Sequence, residues 1–485
     1  MRLIGKYQVL GLLGRGGMGA VYKARMPVTG KIVALKLLSP TPFLETLVGA
    51  AEIERRFLAE AATLGGLNHP HVAQVWDFGR EQERGRPYFT MEYYCRDLGQ
   101  VLGESADSEA PTRRLPLPRA AGYALQALDG LARLHAADVV HRDVKPSNLL
   151  ITGEDSIKIT DFGLSRVRGE SLTASPGLKV GSPFYAAPEQ EADPDQAGPR
   201  ADLFSLGVTL YRMLTGMLPE WPLAGDKLPS RLPSRLPGDL DAAWDDFFRR
   251  CLAPRPEARH QDADHMACEL AALLADWRKR LEHACRLTDA ADLPPPCPDQ
   301  PDRPDRANRA DRPDWADWAR PRSEPRKVFG RDAREVLGLD ELWRPRCFAR
   351  PRLVAWPGAA SARAAAPAGA TVLDESTGLV WQTGGSRFPV DWKEAQAFVA
   401  ELNARAFAGA TGWRLPTVAE LASVLSPPAE FTGHCLSPVF DADKRLVWSA
   451  DRRAYTQAWF ADTEQGAFSF ADTTCLRYGR AVRPA

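Results

Sequence analysis

Long apolar runs are missing from this chain of 485 residues. The nearest candidate, 353–373, is interrupted by Arg363 and by Pro357 and Pro367. A membrane helix needs about 20 consecutive apolar residues, so no membrane span is expected. The start, Met1-Arg2-Leu3-Ile4-Gly5-Lys6, lacks the apolar core of a secretion signal. An excess of either charge is absent as well, since basic and acidic residues number 62 each. That balance argues against a dedicated nucleic-acid or polybasic membrane binder and leaves room only for local basic patches. The eight cysteines (Cys95, Cys251, Cys268, Cys285, Cys297, Cys347, Cys435 and Cys475) form no CxxC pair and have no histidine at zinc-like spacing. They read as reduced thiols, and a cytoplasmic location is expected.

What is present divides the chain. A length of 485 residues exceeds what one hydrophobic core accommodates, so at least two domains are expected. Residues 1–280 alternate strand-like runs, such as 32–38, with amphipathic helical patterns at 53–64 and 120–135. Residues 203–214 are apolar almost all round and read as a buried helix. From about 293 to 325 the composition shifts to Pro, Asp, Arg and Ala, which buries too little apolar surface to offset its ordering entropy. Residues 281–370 therefore read as a mostly disordered linker, with a short helix expected over 331–343. A second folded unit, 371–485, is rich in Trp, Phe and Gly and carries one good helix at 392–403.

Most of the chemistry-bearing residues fall in the first 280 positions. Gly14-Arg15-Gly16-Gly17-Met18-Gly19 lets a hairpin backbone approach phosphate oxygens closely. The strand-like Ala20-Val21-Tyr22-Lys23-Ala24 that follows disfavours a dinucleotide fold, where a helix would open at once. Val33-Ala34-Leu35-Lys36 ends an apolar strand on a lysine, and Glu60 on the next helix is its candidate partner, ahead of Glu52 and Glu54 near that helix's start. His141-Arg142-Asp143-Val144-Lys145-Pro146-Ser147-Asn148, followed by Asp161-Phe162-Gly163, places a candidate base, a phosphate-contacting lysine and two candidate metal ligands in one span.

Together these motifs resemble the eukaryotic-like (Hanks-type) Ser/Thr protein kinases, particularly their bacterial branch, over roughly the first 280 residues. The resemblance implies a bilobal fold with a small lobe at 1–92 and a large lobe at 96–280. It implies ATP and Mg²⁺ as cofactors, Asp143 as the base, Lys145 and Lys36 on the phosphates, Glu60 pairing with Lys36, and Asn148 and Asp161 as metal ligands. Gly14, Gly16, Gly19, Val21, Ala34, Met91, Glu92, Tyr94 and Leu150 would surround the nucleotide, with Met91 as gatekeeper. Glu189 would pair with Arg259, and Asp202 would hold the catalytic loop. Ser171, Thr173 and Ser175 are candidate phosphosites, and Arg142 suggests control by their phosphorylation. Ser182 stands where the family has threonine and keeps the hydroxyl. The implied partners are proteins bearing Ser or Thr and a transient homodimer for autophosphorylation. The alternative is a nucleotide-binding pseudokinase scaffold whose second domain is the working module.

In the second unit, Gly412-Trp413-Arg414-Leu415-Pro416-Thr417 followed by Glu420-Leu421 resembles the Lcl-type C-terminal domain, a relative of the C-type-lectin and formylglycine-enzyme folds. The family's closing cysteine is replaced in Arg480-Ala481-Val482-Arg483. The resemblance implies a recognition module whose ligand is unknown and whose variable face is about 450–478. Lectin calcium signatures are missing, no calcium site is expected, and no disulfide between Cys435 and Cys475 is expected. The expected fold class is α+β: a bilobal protein-kinase fold, a Pro/Asp/Arg-rich linker and a small α+β, C-type-lectin-like domain.

Overall fold

The computed structural model describes residues 2–16, 19–104, 109–161, 183–192, 197–219, 240–286, 321–329, 332–348, 351–356, 370–427 and 435–485. The chain divides into two compact units, Met1–His283 and Ala284–Ala485. None of the described helices is long and apolar enough to cross a membrane.

The first unit opens with strands β1 (Leu3–Ile4), β2 (Tyr7–Arg15), β3 (Gly19–Arg25), β4 (Ile32–Leu38), β5 (Val75–Arg80) and β6 (Pro87–Glu92), and with helices α1 (Pro42–Val48) and α2 (Ala50–Gly66). The strands form one antiparallel sheet in the order β1-β2-β3-β4-β6-β5. Central β4 is covered on both faces, which explains its nearly continuous apolar run. Val33, Leu35 and Leu37 pack with Tyr7, Tyr22 and Tyr88. Ala34 and Leu38 join Phe57, Phe89 and Met91 in the larger core. The two-residue period of a strand puts Lys36 on that second face. On α2, Ile53, Phe57, Ala61 and Leu64 form the buried stripe, and Glu60 lies in it.

The large lobe contains β7 (Arg96–Asp97), β8 (Leu149–Ile151) and β9 (Ile157–Ile159), paired in that order, with helices α3 (Leu98–Leu102), α4 (Leu117–His135), α5 (Pro188–Ala192), α6 (Pro199–Thr215), α7 (Ala242–Cys251) and α8 (Ala263–Arg286). Helix α6 is buried from Ala201 to Thr215, in keeping with its apolar character on every side. Its first turn carries Asp202, fully buried.

The second unit comprises α9 (Ala333–Val336), β10 (Leu353–Ala355), β11 (Thr371–Asp374), β12 (Leu379–Gln382), α10 (Trp392–Ala404), α11 (Val418–Val424), β13 (Leu446–Ala454), β14 (Gln457–Asp462), β15 (Ala467–Asp472) and β16 (Val482–Pro484). Two sheets form, β10-β11-β12-β16 and β13-β14-β15. Trp381, Trp448 and Trp459 are fully buried, as apolar fillers of a small core. Thr417 and Glu420 cap α11 reciprocally, and Arg414 forms an ion pair with Glu420. The Gly-Trp-Arg-Leu-Pro-Thr phrase thus has a structural reason of its own.

One boundary read from composition is corrected by the packing. Part of the expected linker is folded: Val328, Ala333, Leu337 and Leu339 share a core with Val372, Trp381 and Trp459. The expected helix at 331–343 is confined to the four residues of α9. Cys251, Cys268, Cys347 and Cys435 are free thiols. Cys435 donates to the Glu464 carbonyl, and no Cys435–Cys475 bond is made.

Candidate active site

Strand register gathers the first group of site residues on one face. Gly14 lies opposite Val21, Val21 opposite Lys36, and Ala34 opposite Met91. Directly paired residues share a face, and so do residues two apart along β4. The row therefore runs Gly14, Val21, Lys36, with Ala34 and Met91 beside it. A methyl group at Gly14 would meet nothing within 4 Å. Gly19 differs, because a methyl there would sit 2.4 Å from the Leu37 carbonyl oxygen. Its glycine is required by neighbouring β4. The Gly16 N–H donates to the Gly19 carbonyl at 2.9 Å and closes the hairpin; Gly17 and Met18 lie outside the described residues.

Lys36 is the junction of the site. Its ammonium donates to Glu60 Oε1 at 2.9 Å and to Asp161 Oδ1 at 2.8 Å, so three elements meet at one nitrogen. Burial alone would lower the Lys36 pKa, but Asp161 and Glu60 outweigh it and hold the ammonium above its ordinary value. Burial pushes the Glu60 carboxyl up to about 7, against the pull of Lys36. Its second oxygen, Oε2, is buried with no hydrogen-bond partner among the described residues.

The loop after α4 is fixed from beneath. Buried Asp202 accepts the His141 N–H at 2.9 Å, the Arg142 N–H at 2.7 Å and a bond from His135 Nε2 at 2.8 Å. His141 Nδ1 accepts the Asp143 N–H at 3.2 Å, so its Nε2 carries the proton and donates to the Thr160 carbonyl at 2.9 Å. That imidazole ties the catalytic loop to the residue preceding Asp161. Arg142 and Asp161 both adopt positive φ, 64° and 61°, a conformation costly for non-glycine residues and concentrated at functional sites. The Asp143 carboxylate receives Lys145 Nζ at 2.8 and 2.9 Å and Asn148 Nδ2 at 2.9 Å.

Among the remaining expected residues, Met91 Sδ accepts from Thr160 Oγ1 at 3.8 Å, placing it beside the segment that leads from β9 to Asp161. Tyr94 donates to Glu92 Oε2 at 2.8 Å, so these two side chains engage each other. Leu150 lies on β8, two residues beyond Asn148. Arg259 binds Glu189 through two bonds of 2.7 Å and also donates to the carbonyls of Ala253, Arg200 and Pro254. Ser171, Thr173, Ser175 and Ser182 lie outside the described residues. His135, Thr160 and the bridging role of His141 were not legible in the motifs. Their only signal was polar side chains beside apolar runs.

The donor set fits a hard divalent cation. Asp161 and Asn148 offer oxygen ligands, and the Asn148 amide nitrogen is spent on the Asp143 carbonyl and carboxylate, which leaves its Oδ1 as the ligand atom. The absence of any atom within 4 Å of a methyl placed on Gly14 is compatible with a nucleotide approaching that strand closely.

Comparison with known proteins agrees with this geometry. Residues 7–268 match the protein kinase domain family, and residues 370–483 match the Lcl C-terminal domain family. Serine/threonine-protein kinase pkn3 of Myxococcus xanthus is 32% identical over 302 residues, covering 58% of this chain and 52% of that protein. Serine/threonine-protein kinase PknE of Mycobacterium bovis is 34% identical over 304 residues, 60% of this chain and 50% of that one. The DNA damage-responsive serine/threonine-protein kinase RqkA of Deinococcus radiodurans is 39% identical over 220 residues, 45% and 31% of the two chains. The chain thus spans about half or less of the length of these relatives. The solved kinase domain of Mycobacterium tuberculosis PknI is 26% identical with a TM-score of 0.43, covering 56% of this chain and 98% of that one.

Proposed function

Because the chain belongs to the protein kinase family, we propose that it is an ATP-dependent Ser/Thr protein kinase that transfers the γ-phosphate to serine and threonine hydroxyls of protein substrates. The observation that carries this reading is the contact of Lys36 Nζ with both Glu60 and Asp161, beside an Asp143 held by Lys145 and Asn148. Lys36, steadied by Glu60, positions the α- and β-phosphates. Asp143 accepts the proton of the attacking hydroxyl, and Lys145 places positive charge where the transferred group gains negative charge. Asp202 and His141 hold the loop in register. Mg²⁺ at Asn148 and Asp161 would supply further neutralisation of phosphate charge.

The same reading includes autophosphorylation of the activation segment at Ser171, Thr173 or Ser175, in a transient homodimer. The buried Nε of Arg142, which has no hydrogen-bond partner among the described residues, supports a phosphate-binding role for that arginine. The C-terminal unit serves as a ligand- or substrate-recognition module, and a cytoplasmic location follows from the need for ATP. Radiolabelled ATP with the full chain and a generic protein substrate tests the proposal. Asp143→Asn should cut incorporation by about 10²–10⁴-fold, the usual weight of a general base. Unchanged incorporation would remove Asp143 from this role. ATP binding with no incorporation in the unaltered chain would turn the reading to a nucleotide-binding scaffold.

A further inference from the structure

Within the second unit, residues 326–328 lie along β13 as an added strand. Lys327 bridges to Arg452 in parallel register, the Val328 N–H donates to the Arg452 carbonyl, and the Arg452 N–H donates to the Arg326 carbonyl. Where this segment meets the β13–β14 hairpin there is a shallow, solvent-open cleft of about 370 Å³, lined by Lys327, Phe329, Arg453, Ala454 and Gln457. Its two cations have no carboxylate partner among the described residues. Arg453 lies 3.6 Å over the Phe470 ring and donates to Gln457 Oε1 at 3.2 Å. Burial draws its guanidinium below the ordinary value, and no neighbouring acid restores it. The acid nearest in sequence, Asp451, is fully buried and already accepts from Arg322 and from the N–H groups of Arg326 and Val418. Phe329, at the cleft edge, is 69% exposed.

These features describe a ligand with two negative charges close together beside an apolar group. We propose that the cleft binds a phosphoserine or phosphothreonine of a peptide, the chemical product of the transfer reaction assigned to the first unit. A phosphate monoester carries about −1.5 to −2 charge at neutral pH and matches two cations, where a carboxylate side chain offers one charge. Arg453 is pre-set for a fork of hydrogen bonds, because stacking on Phe470 and the Gln457 amide fix its plane. Phe329 and Ala454 take the apolar residue next to the phosphate. The volume is at the low end of the roughly 300–1,000 Å³ range of ligand sites, which suits one phosphorylated residue with its neighbour. A bound phosphopeptide raises the local concentration of its remaining hydroxyls for the same kinase, favouring repeated phosphorylation of one substrate.

This inference rests on the C-terminal unit being a recognition module, and its test separates the two. The probe is a fluorescent peptide of residues 168–178 phosphorylated on Thr173, with its unphosphorylated twin and a sulfated oligosaccharide as competitors. Fluorescence anisotropy is read with the full chain carrying Lys36→Met, so that the twin is not turned over. The phosphopeptide should bind at least about tenfold tighter than the twin, the scale of one charge-assisted pair. Lys327→Gln with Arg453→Gln should bring that ratio to about one with an unchanged melting temperature, and Arg453→Lys should keep part of it. Equal binding of the twins overturns the proposal, as does a preference that survives the double substitution. Displacement by the sulfated oligosaccharide at lower concentration than by the phosphopeptide would make the cleft a general polyanion surface. Phosphate incorporation into a peptide with a single hydroxyl, by the same double variant without Lys36→Met, reports the kinase reaction separately and should stay at the level of the unaltered chain.

Discussion

Arg322 and Asp451, 129 positions apart, are joined by two parallel hydrogen bonds of 2.9 and 3.0 Å. Asp451 is fully buried and also accepts the N–H groups of Arg326 at 2.6 Å and Val418 at 2.7 Å. One carboxylate therefore fastens the proline- and arginine-rich segment to the first turn of α11. The Thr417 hydroxyl adds a bond of 2.6 Å to the Arg322 carbonyl.

Removing this carboxylate leaves a cation, the buried N–H of Val418 and the N–H of Arg326 without their acceptor. Asp451→Ala should lower the stability of the C-terminal unit by about 3–5 kcal/mol, the usual result of breaking one side of a buried pair. Denaturant unfolding followed by tryptophan fluorescence reads this loss. A fragment of residues 321–485 should likewise unfold at higher denaturant than one of residues 370–485, although the Lcl C-terminal family match begins only at residue 370. Equal midpoints for the two fragments would show that the segment contributes nothing.

The glycines of the β2–β3 hairpin separate a structural from a ligand-binding role. Gly19→Ala drives a methyl to 2.4 Å from the Leu37 carbonyl oxygen, backbone that can yield only by shifting β4. A stability loss of about 1–3 kcal/mol is expected, as for other overpacked sites. Gly14→Ala meets nothing within 4 Å, so stability should change by no more than about 0.5 kcal/mol. Its methyl enters the space assigned to the nucleotide, and KM for ATP should rise roughly tenfold as the phosphates lose their close approach to the backbone. An unchanged KM in Gly14→Ala would place the nucleotide elsewhere.

Legibility followed how local each constraint was. Lys36, Asp143, Asn148 and Asp161 stand out because their neighbours are set by a strand period or a tight loop, which short motifs encode directly. Glu60 was legible as an acid on the apolar stripe of α2, where only a buried partner makes it tolerable. Segment 321–348 was not legible. Its composition has no period, and its order comes from Asp451, the edge of β13 and the ring of Trp459 against its own Trp343, all of them contacts with residues distant in sequence. Asp202 was legible as the holder of the catalytic loop, but its bond from His135 and the link from His141 to Thr160 were hidden for a related reason: both are side-chain bonds made across separate segments of the chain.

The raised pKa of Glu60 gives the site a pH dependence whose sign differs between stability and nucleotide binding. Burial moves the carboxyl from its ordinary 4.5 to about 7. Between those values the folded protein holds a proton that the unfolded chain has released. This group's contribution to stability is therefore complete below about 4.5 and declines as pH rises through about 7. Nucleotide binding runs the other way, because Lys36 is positioned by the ionised carboxylate. ATP affinity should rise as pH climbs from about 6 to about 8, where that carboxylate loses its proton. The nucleotide's terminal phosphate titrates nearby, with a second pKa of about 6 for phosphate esters, so the unaltered chain alone does not isolate Glu60. Glu60→Gln keeps the shape and removes the titration. Its affinity for a non-hydrolysable ATP analogue should be lower at pH about 8 and should vary with pH only as the phosphate does. Subtracting the two profiles should leave one inflection near pH 7; identical slopes in the two proteins would mean that Glu60 is already ionised throughout the range.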